Sequence, residues 1–356
     1  MRIAAILLAM IAVAAPAAGQ ALTWNGFALL RGESSTSTSA PFTEDGISAQ
    51  AQLAIDWRPS VRWGAHVHLI ARDDPDGSHR GSVGITEAFL EANAGADAHR
   101  LRVMAGAFFL PTSRENVDAL WESPYAITSS ALNSWFGEEF RPVGIDVAYT
   151  AFRRATIGAT VFRGNDTFGG MPADRGWAIH DRWSLLGEHV PTTAPGVFTS
   201  LSAETDDRLG WAGRARWSGD RFLVQVTHID NRSDGETYGD LVNWDTQFDL
   251  VSAEYSLREW TAAAEAGWGP TAVQTPTGLY VEDIAAAYLL VSRRMGDFRA
   301  TLRQDWFRVD HEQDDAALTA ALLWSPRGLW RTGIEVTTTG EDTRVMGEVR
   351  FYFGGR

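Results

Sequence analysis

Hydrophobic and polar residues alternate along most of the chain with a period of two. Over 61–72, one face carries Val61, Trp63, Ala65, Val67, Leu69 and Ala71, and the other carries Arg62, His66, His68 and Arg72. The last segment, 344–353, places Val345, Val349, Phe351 and Phe353 opposite Arg344, Glu348 and Arg350. A period of two is typical of β-strands with one covered face. Since helical periodicity is weak, the pattern predicts an all-β protein.

The connections between the predicted strands fall into two classes that alternate. Seven are short turns, at 56–63, 92–100, 149–156, 216–222, 255–260, 292–298 and 323–330. Most of them have aromatic residues on both sides, as in Trp57 and Trp63 or Trp324 and Trp330. Eight are longer and polar, at 33–46, 73–82, 109–142, 165–208, 233–245, 268–282, 310–315 and 339–342. These fifteen connections, seven short and eight long in alternation, join 16 strands.

An even number of strands, short turns at one end, long loops at the other and an aromatic girdle are typical of outer-membrane barrels. In a bilayer every backbone polar group must be paired internally, and a closed barrel achieves this without an unpaired edge. We therefore expect a 16-stranded antiparallel transmembrane β-barrel in which the last strand pairs with the first, 22–32. A secreted β-sandwich or β-solenoid also alternates but does not explain aromatics around the short turns.

The beginning of the chain has the pattern of a secretory signal. Arg2 precedes an apolar stretch, Ile3 to Ala15, and small residues follow up to Ala21. We predict a signal peptide over 1–21 and a barrel over 22–356. Beyond the signal, no run of 18 apolar residues without a charge predicts a membrane helix.

Composition narrows the classes of function. The formal net charge is −14, and all 31 basic residues are arginine. An acidic exported protein does not suit a nucleic-acid partner, which needs a basic surface. The sequence contains no cysteine, so neither disulfides nor thiolate metal sites are expected. No cofactor is implied, and no catalytic motif indicates an enzyme.

The long connection 109–142 is the strongest functional candidate. It is rich in large apolar residues, which predict a packed loop, and we expect it to fold into the barrel as a constriction. The predicted pore-lining residues are Arg114, Glu115, Asp118, Glu122, Glu138, Glu139 and Arg141 of the loop, with Arg62, Arg100 and Arg102 of the strands. Continuing the alternation places further charges in the lumen, including Arg214, Arg216, Arg303, Asp305, Glu335 and Glu348.

The residues that flank this loop resemble a known family. Gly106, Phe108 and Pro111 before the loop, and Arg141 and Gly144 after it, resemble the Gram-negative porins of the group that contains the phosphate-selective porins. The resemblance implies a trimer whose third loop narrows the pore. Phosphate-selective members line their pores with lysine, and this chain has none, so phosphate specificity is not carried over.

The expected function is passive diffusion of small hydrophilic solutes or ions through a water-filled channel in the outer membrane of a Gram-negative bacterium. The expected partners are outer-membrane lipid, lipopolysaccharide, small solutes and two further copies of the chain. An anion- or sugar-specific porin of the same fold is one alternative. A secreted β-rich binding protein is an alternative of another class.

Overall fold

The computed structural model describes residues 21–36, 46–73, 82–96, 98–116, 120–137, 140–175, 185–191, 198–200, 203–233, 237–238, 241–310, 313–340 and 342–354. Of the predicted signal peptide, 1–21, only Ala21 is among them, as the first residue of a strand. Within the described residues, no helix is long and apolar enough to cross a membrane.

Twenty strands account for most of the described chain. Their bounds are β1 Ala21–Ser35, β2 Gly46–Arg58, β3 Trp63–Arg72, β4 Val83–Ala96, β5 His99–Ala107, β6 Val143–Ala151, β7 Ala155–Arg163, β8 His189–Pro191, β9 Phe198–Ser200, β10 Gly210–Ser218, β11 Phe222–Asn231, β12 Thr237–Tyr238, β13 Leu241–Val242, β14 Asp245–Leu257, β15 Trp260–Thr275, β16 Gly278–Met295, β17 Phe298–Val309, β18 Gln313–Trp324, β19 Trp330–Thr339 and β20 Asp342–Gly354. A π-helical turn spans Asn133–Gly137, a short helix α1 spans Gly170–Arg175, and a 3₁₀ turn spans Pro326–Gly328.

Sixteen of these strands form one closed barrel, which confirms the predicted fold. Neighbours in the barrel follow chain order, β1 to β7, then β10, β11 and β14 to β20, and every pair is antiparallel. The last strand closes on the first, with a register that runs from Asn25 opposite Gly354 to Ser35 opposite Arg344. The two remaining pairs, β8–β9 and β12–β13, are small hairpins within long connections.

The seven predicted short turns are all present at one end of the barrel. At the other end, three connections predicted to be long are tight instead. β15 and β16 continue their pairing through 268–282 until Thr275 lies opposite Gly278, and the connections at 310–315 and 339–342 are also short. The prediction of a long loop over 268–282 was wrong because threonine, valine and tyrosine in this segment favour strand structure, and hydrogen bonding extends the hairpin.

The two faces of the barrel differ as the alternation predicted. Along β20, Val345, Val349 and Phe351 are exposed on the outer face, while Glu348 and Arg350 are buried on the inner face. Aromatic residues near the short turns point outward and are 40–47% exposed: Trp217, Phe222, Tyr255, Trp260, Phe298, Trp324 and Trp330. An apolar outer band with an aromatic girdle suits the hydrocarbon and interface of a bilayer.

Candidate functional site

The connection between β5 and β6 folds into the barrel and contacts its inner wall. We call residues 108–142 the lumen loop. Glu265 on β15 accepts hydrogen bonds from the Ser113 hydroxyl at 2.8 Å and the Arg114 amide at 2.9 Å. Glu335 on β19 accepts bonds from the amides of Ile127 and Thr128, at 2.6 and 3.2 Å. Inward-facing acids therefore hold the loop by its backbone amides, which bind carboxylates well.

A buried charge cluster lies where the lumen loop crosses β17. Arg303 is fully buried and donates to Asp305 at 2.7 Å, to Glu115 at 3.2 Å and to the Thr128 carbonyl at 2.7 Å. The Ser130 amide donates to Glu115 at 2.7 Å. Burial raises the pKa of Glu115 to about 7, although the charge of Arg303 acts in the opposite direction. This glutamate therefore changes its protonation near neutral pH while it joins the loop to the wall.

A second charge cluster joins the lumen loop to β19 and β20. Arg350 donates to Glu122 at 2.5 Å, and the Tyr352 hydroxyl donates to the same carboxylate at 2.8 Å. Arg331 donates to the Ser123 carbonyl at 2.8 Å. Burial alone would raise the pKa of Glu122, but the charges of Arg350 and Arg331 outweigh it and hold that pKa below its ordinary value. Glu122 is thus an ionised anchor of the loop.

The two ends of the lumen loop meet near Glu87 on β4. Glu87 accepts hydrogen bonds from the Phe109 amide at 2.9 Å and the Trp121 indole at 2.8 Å. The guanidinium of Arg141 lies over the Phe109 ring at 5.0 Å from its centroid. Phe109 and Arg141 are fully or almost fully buried. Arg141 therefore helps to close the base of the loop and does not face an aqueous lumen.

Some lumen-facing arginines nearer the short turns remain in contact with solvent. Asp146 on β6 is fully buried and accepts two bonds from Arg214, at 2.5 and 2.7 Å. The Arg102 guanidinium lies 3.6 Å from the same carboxylate, and its side chain is 34% exposed. Arg114 lies 3.3 Å from Glu254 on β14. One side of the lumen therefore carries clustered arginines that water reaches.

We call this cluster the arginine wall. It consists of Arg100 and Arg102 on β5, Arg214 and Arg216 on β10, and Arg114 on the lumen loop. Arg216 is exposed and lies within electrostatic range of Arg114, Arg102 and Arg214. Arg100 donates to the Asn93 side chain at 2.6 and 2.9 Å. The strands and the loop thus bring together three arginines that the sequence predicted as pore-lining, Arg100, Arg102 and Arg114.

Other predicted pore-lining residues lie elsewhere. Arg62 is exposed in the turn between β2 and β3, because the Ser60 hydroxyl accepts the amides of Arg62 and Trp63 and delays the start of the strand. Its predicted place on the lumen wall therefore needs correction. Glu115 and Glu122 lie in the buried clusters described above. Asp118, Glu138 and Glu139 lie outside the described residues.

An apolar region of the lumen was not predicted. In the half of the barrel nearer the long connections, six aromatic residues pack together. We call them the aromatic layer: Trp135, Phe136 and Phe140 of the lumen loop, Phe168 after β7, Phe162 on β7 and Phe248 on β14. Ring centroids are 4.6 Å apart for Phe136 and Phe248, and 5.3 Å for Phe140 and Phe162.

A sequence signal for this layer did exist. The outward residue Val161 is followed by the inward residue Phe162, and Trp306 is followed by Phe307. Large apolar residues on both faces of a strand mean that the inner face also meets an apolar partner. This departure from alternation occurs near the long-connection end of the strands, where the aromatic layer lies.

No protein-family model and no curated protein matches the sequence. The fold matches solved structures of outer-membrane channels. The outer-membrane channel DcaP of Acinetobacter baumannii has a TM-score of 0.65 at 12% identity, covering 95% of this chain and 99% of that one. OmpF of Salmonella typhi, in complex with daunomycin, has a TM-score of 0.62 at 11% identity, covering 94% and 98%. The anion-selective porin from Comamonas acidovorans has a TM-score of 0.61 at 10% identity, covering 94% and 100%.

Proposed function

Because the chain has the fold of outer-membrane porins, we propose that it is a porin: a channel for passive diffusion of small hydrophilic solutes or ions. The observation that carries the proposal is a closed 16-stranded barrel whose outer face is apolar and whose lumen is charged and crossed by the loop between β5 and β6. A barrel of this strand number encloses a channel. Its apolar band and aromatic girdle would place it in the outer membrane, among lipid and lipopolysaccharide.

The solute preference that we propose is for anions. The five residues of the arginine wall face three carboxylates, those of Glu91, Glu254 and the fully buried Asp146. The formal surplus is two positive charges. Pores select ions by the charge that surrounds their narrow part, and the net charge of the whole chain matters less. The overall charge of −14 therefore does not imply a preference for cations.

We further propose that three copies assemble in the membrane. Support comes from the solved structure of OmpT of Vibrio cholerae described as a trimer form, which this chain resembles with a TM-score of 0.57 at 8% identity. Chemical cross-linking in native membranes, followed by gel electrophoresis without heating, tests this assembly. A ladder that ends at three subunits supports a trimer, and a single unlinked subunit refutes it.

Single-channel recording in a planar bilayer tests the function itself. Protein shown to be folded by a change in gel mobility on heating is added to the bilayer under a salt gradient. Stepwise conductance supports a porin, and a reversal potential of the anion-selective sign supports the role of the arginine wall. Folded protein that never conducts, in any ionic condition or variant, contradicts the proposal.

A further inference from the structure

The aromatic layer interrupts the aqueous part of the lumen. On the side of the short turns, Arg102 is 34% exposed and Arg216 is exposed. On the side of the long connections, lumen-facing residues from six strands spread around the barrel are at most 1% exposed: His68 on β3, Thr86 on β4, Phe162 on β7, Ile229 on β11, Ile284 on β16 and Glu335 on β19. Water therefore reaches the arginine wall but does not reach these six positions around the barrel.

A packed apolar layer blocks hydrated ions. The residues of the aromatic layer are each at most 1% exposed, and ring contacts connect Phe162, Phe140, Phe168, Phe248 and Phe136 in one continuous series inside the barrel. An ion that entered this layer would lose its hydration without any polar partner, which is energetically prohibitive. Apolar constrictions close channels in this way by excluding water.

The loop segment that carries Trp135 and Phe136 is bonded within the loop, where the Phe136 carbonyl accepts a hydrogen bond from the Thr112 hydroxyl at 2.8 Å, and its two rings pack against the barrel wall. The neighbouring Ala131 amide is fixed by Asp305 at 3.2 Å. Phe136 contacts the wall through Phe248, and Trp135 through Phe307, with centroids 4.6 and 6.2 Å apart. This segment is the π-helical turn Asn133–Gly137, a type of turn that is common at functional sites. Ring contacts are short-ranged, so a small displacement of the turn separates them.

We propose that the aromatic layer is a hydrophobic gate, that the structure is its closed state, and that ions pass when the turn Asn133–Gly137 moves away from Phe248. This inference rests on the proposed function as a diffusion channel. The acidic anchors Glu265 and Glu335 stay bonded to the lumen loop in both states, so the movement is confined to the turn and its rings. The open channel then connects the arginine wall to the far side of the barrel.

A reversible cross-link tests the gate. The chain has no cysteine, so the double variant Phe136→Cys, Phe248→Cys carries the only two thiols. Without a linker it lacks two gate rings, and we expect its open probability in a planar bilayer to exceed that of the unmodified protein by at least about tenfold. A short bis-methanethiosulfonate reagent should then tie the turn to the wall and abolish the gain, and a reductant should restore it.

The pair Phe298→Cys, Trp324→Cys is the matched control. These aromatics are cross-strand neighbours on the outer face, with ring centroids 6.3 Å apart, and lie outside the gate. Linking them should leave conduction unchanged. Gel mobility before and after heating establishes that each variant is folded.

The outcomes separate the gate from the channel function. Conduction that rises in the gate variant, falls on linking and returns on reduction supports the gate. A folded unmodified protein that is open nearly all the time, together with a gate variant that is insensitive to linking, overturns the gate and leaves the porin function intact. Absence of conduction in every folded variant, reduced or linked, overturns the porin function itself.

Discussion

Reversing charges in the arginine wall should reverse the ion preference of the channel. We consider Arg102→Glu with Arg216→Glu. Arg214 is left in place because it pairs with the fully buried Asp146, and removing it would leave that carboxylate without its closest partner. Arg102 and Arg216 reach solvent, so glutamates at these positions remain hydrated. The formal net charge of the arginine wall and its facing carboxylates changes from +2 to −2.

The magnitude follows from Coulomb's law. A charge about 10 Å from a passing ion in a water-like medium contributes about 0.4 kcal/mol, so a swing of four charges amounts to about 1.7 kcal/mol. At 0.1 M salt the Debye length is about 10 Å, which reduces the swing to about 0.6 kcal/mol. The partition of each ion should change by about threefold, in opposite directions for anions and cations. At lower salt the change should be larger.

The assay is the reversal potential under a gradient of potassium chloride, measured at two ionic strengths. The control, Arg62→Glu with Arg221→Glu, makes the same change in net charge in two exposed short turns. The control should keep the anion-selective sign, and the lumen variant should take the cation-selective sign. If both variants behave like the unmodified protein, or if both shift equally, the arginine wall does not control selectivity.

Three further predictions concern the loop and the wall. Burial raises the pKa of Glu115 from 4.5 to about 7, so protonation of this carboxyl favours the packed loop. The stabilisation of the packed loop by Glu115 is complete below about pH 4.5 and is lost as the pH rises through about 7. Open probability should rise over that range, and Glu115→Gln, which keeps a polar partner for Arg303, should abolish the dependence. Replacing Glu335 by alanine leaves two buried loop amides and a hydroxyl without their acceptor, which should cost about 1–3 kcal/mol of stability for each group. The loosened loop should give noisy single-channel conductance, and replacing Glu335 by glutamine should have a milder effect. Gly106→Ala should impair folding, seen as loss of the heat-dependent gel shift, because a Cβ at φ +142° would lie 2.3 Å from the Ala88 carbonyl oxygen.

Local pattern was sufficient to predict the barrel. Alternation at 344–353 gave the correct faces for Val349, Glu348 and Arg350, because side chains of a strand point to opposite sides whatever the strand pairs with. The short turns were predictable for a similar reason, since their residues act on the nearest few neighbours. The hairpin through 268–282 was mispredicted as a long loop because its glycines and prolines are typical of loops, whereas its threonine, valine and tyrosine residues allow the two strands to extend.

The fate of individual charges was not predictable from the pattern. Alternation placed Arg303, Glu335 and Arg102 on the same inner face, yet Arg303 and Glu335 are fully buried beneath the lumen loop and Arg102 meets water. The difference depends on where a loop more than 100 residues distant in sequence comes to rest. A prediction based on neighbouring residues in the sequence cannot include a contact over that separation.

By itself, the sequence determined the fold class, the number of strands and the side of each strand that faces the lumen, because these depend on a period of two and on nearby turns. Only the tertiary structure decided which part of the lumen is aqueous. The lumen loop brings Phe136 to Phe248 and Glu115 to Arg303, pairs separated by 112 and 188 positions, and so converts one half of a charged lumen into a packed interior. Burial, and with it the behaviour of each charge, is a property of these long-range contacts.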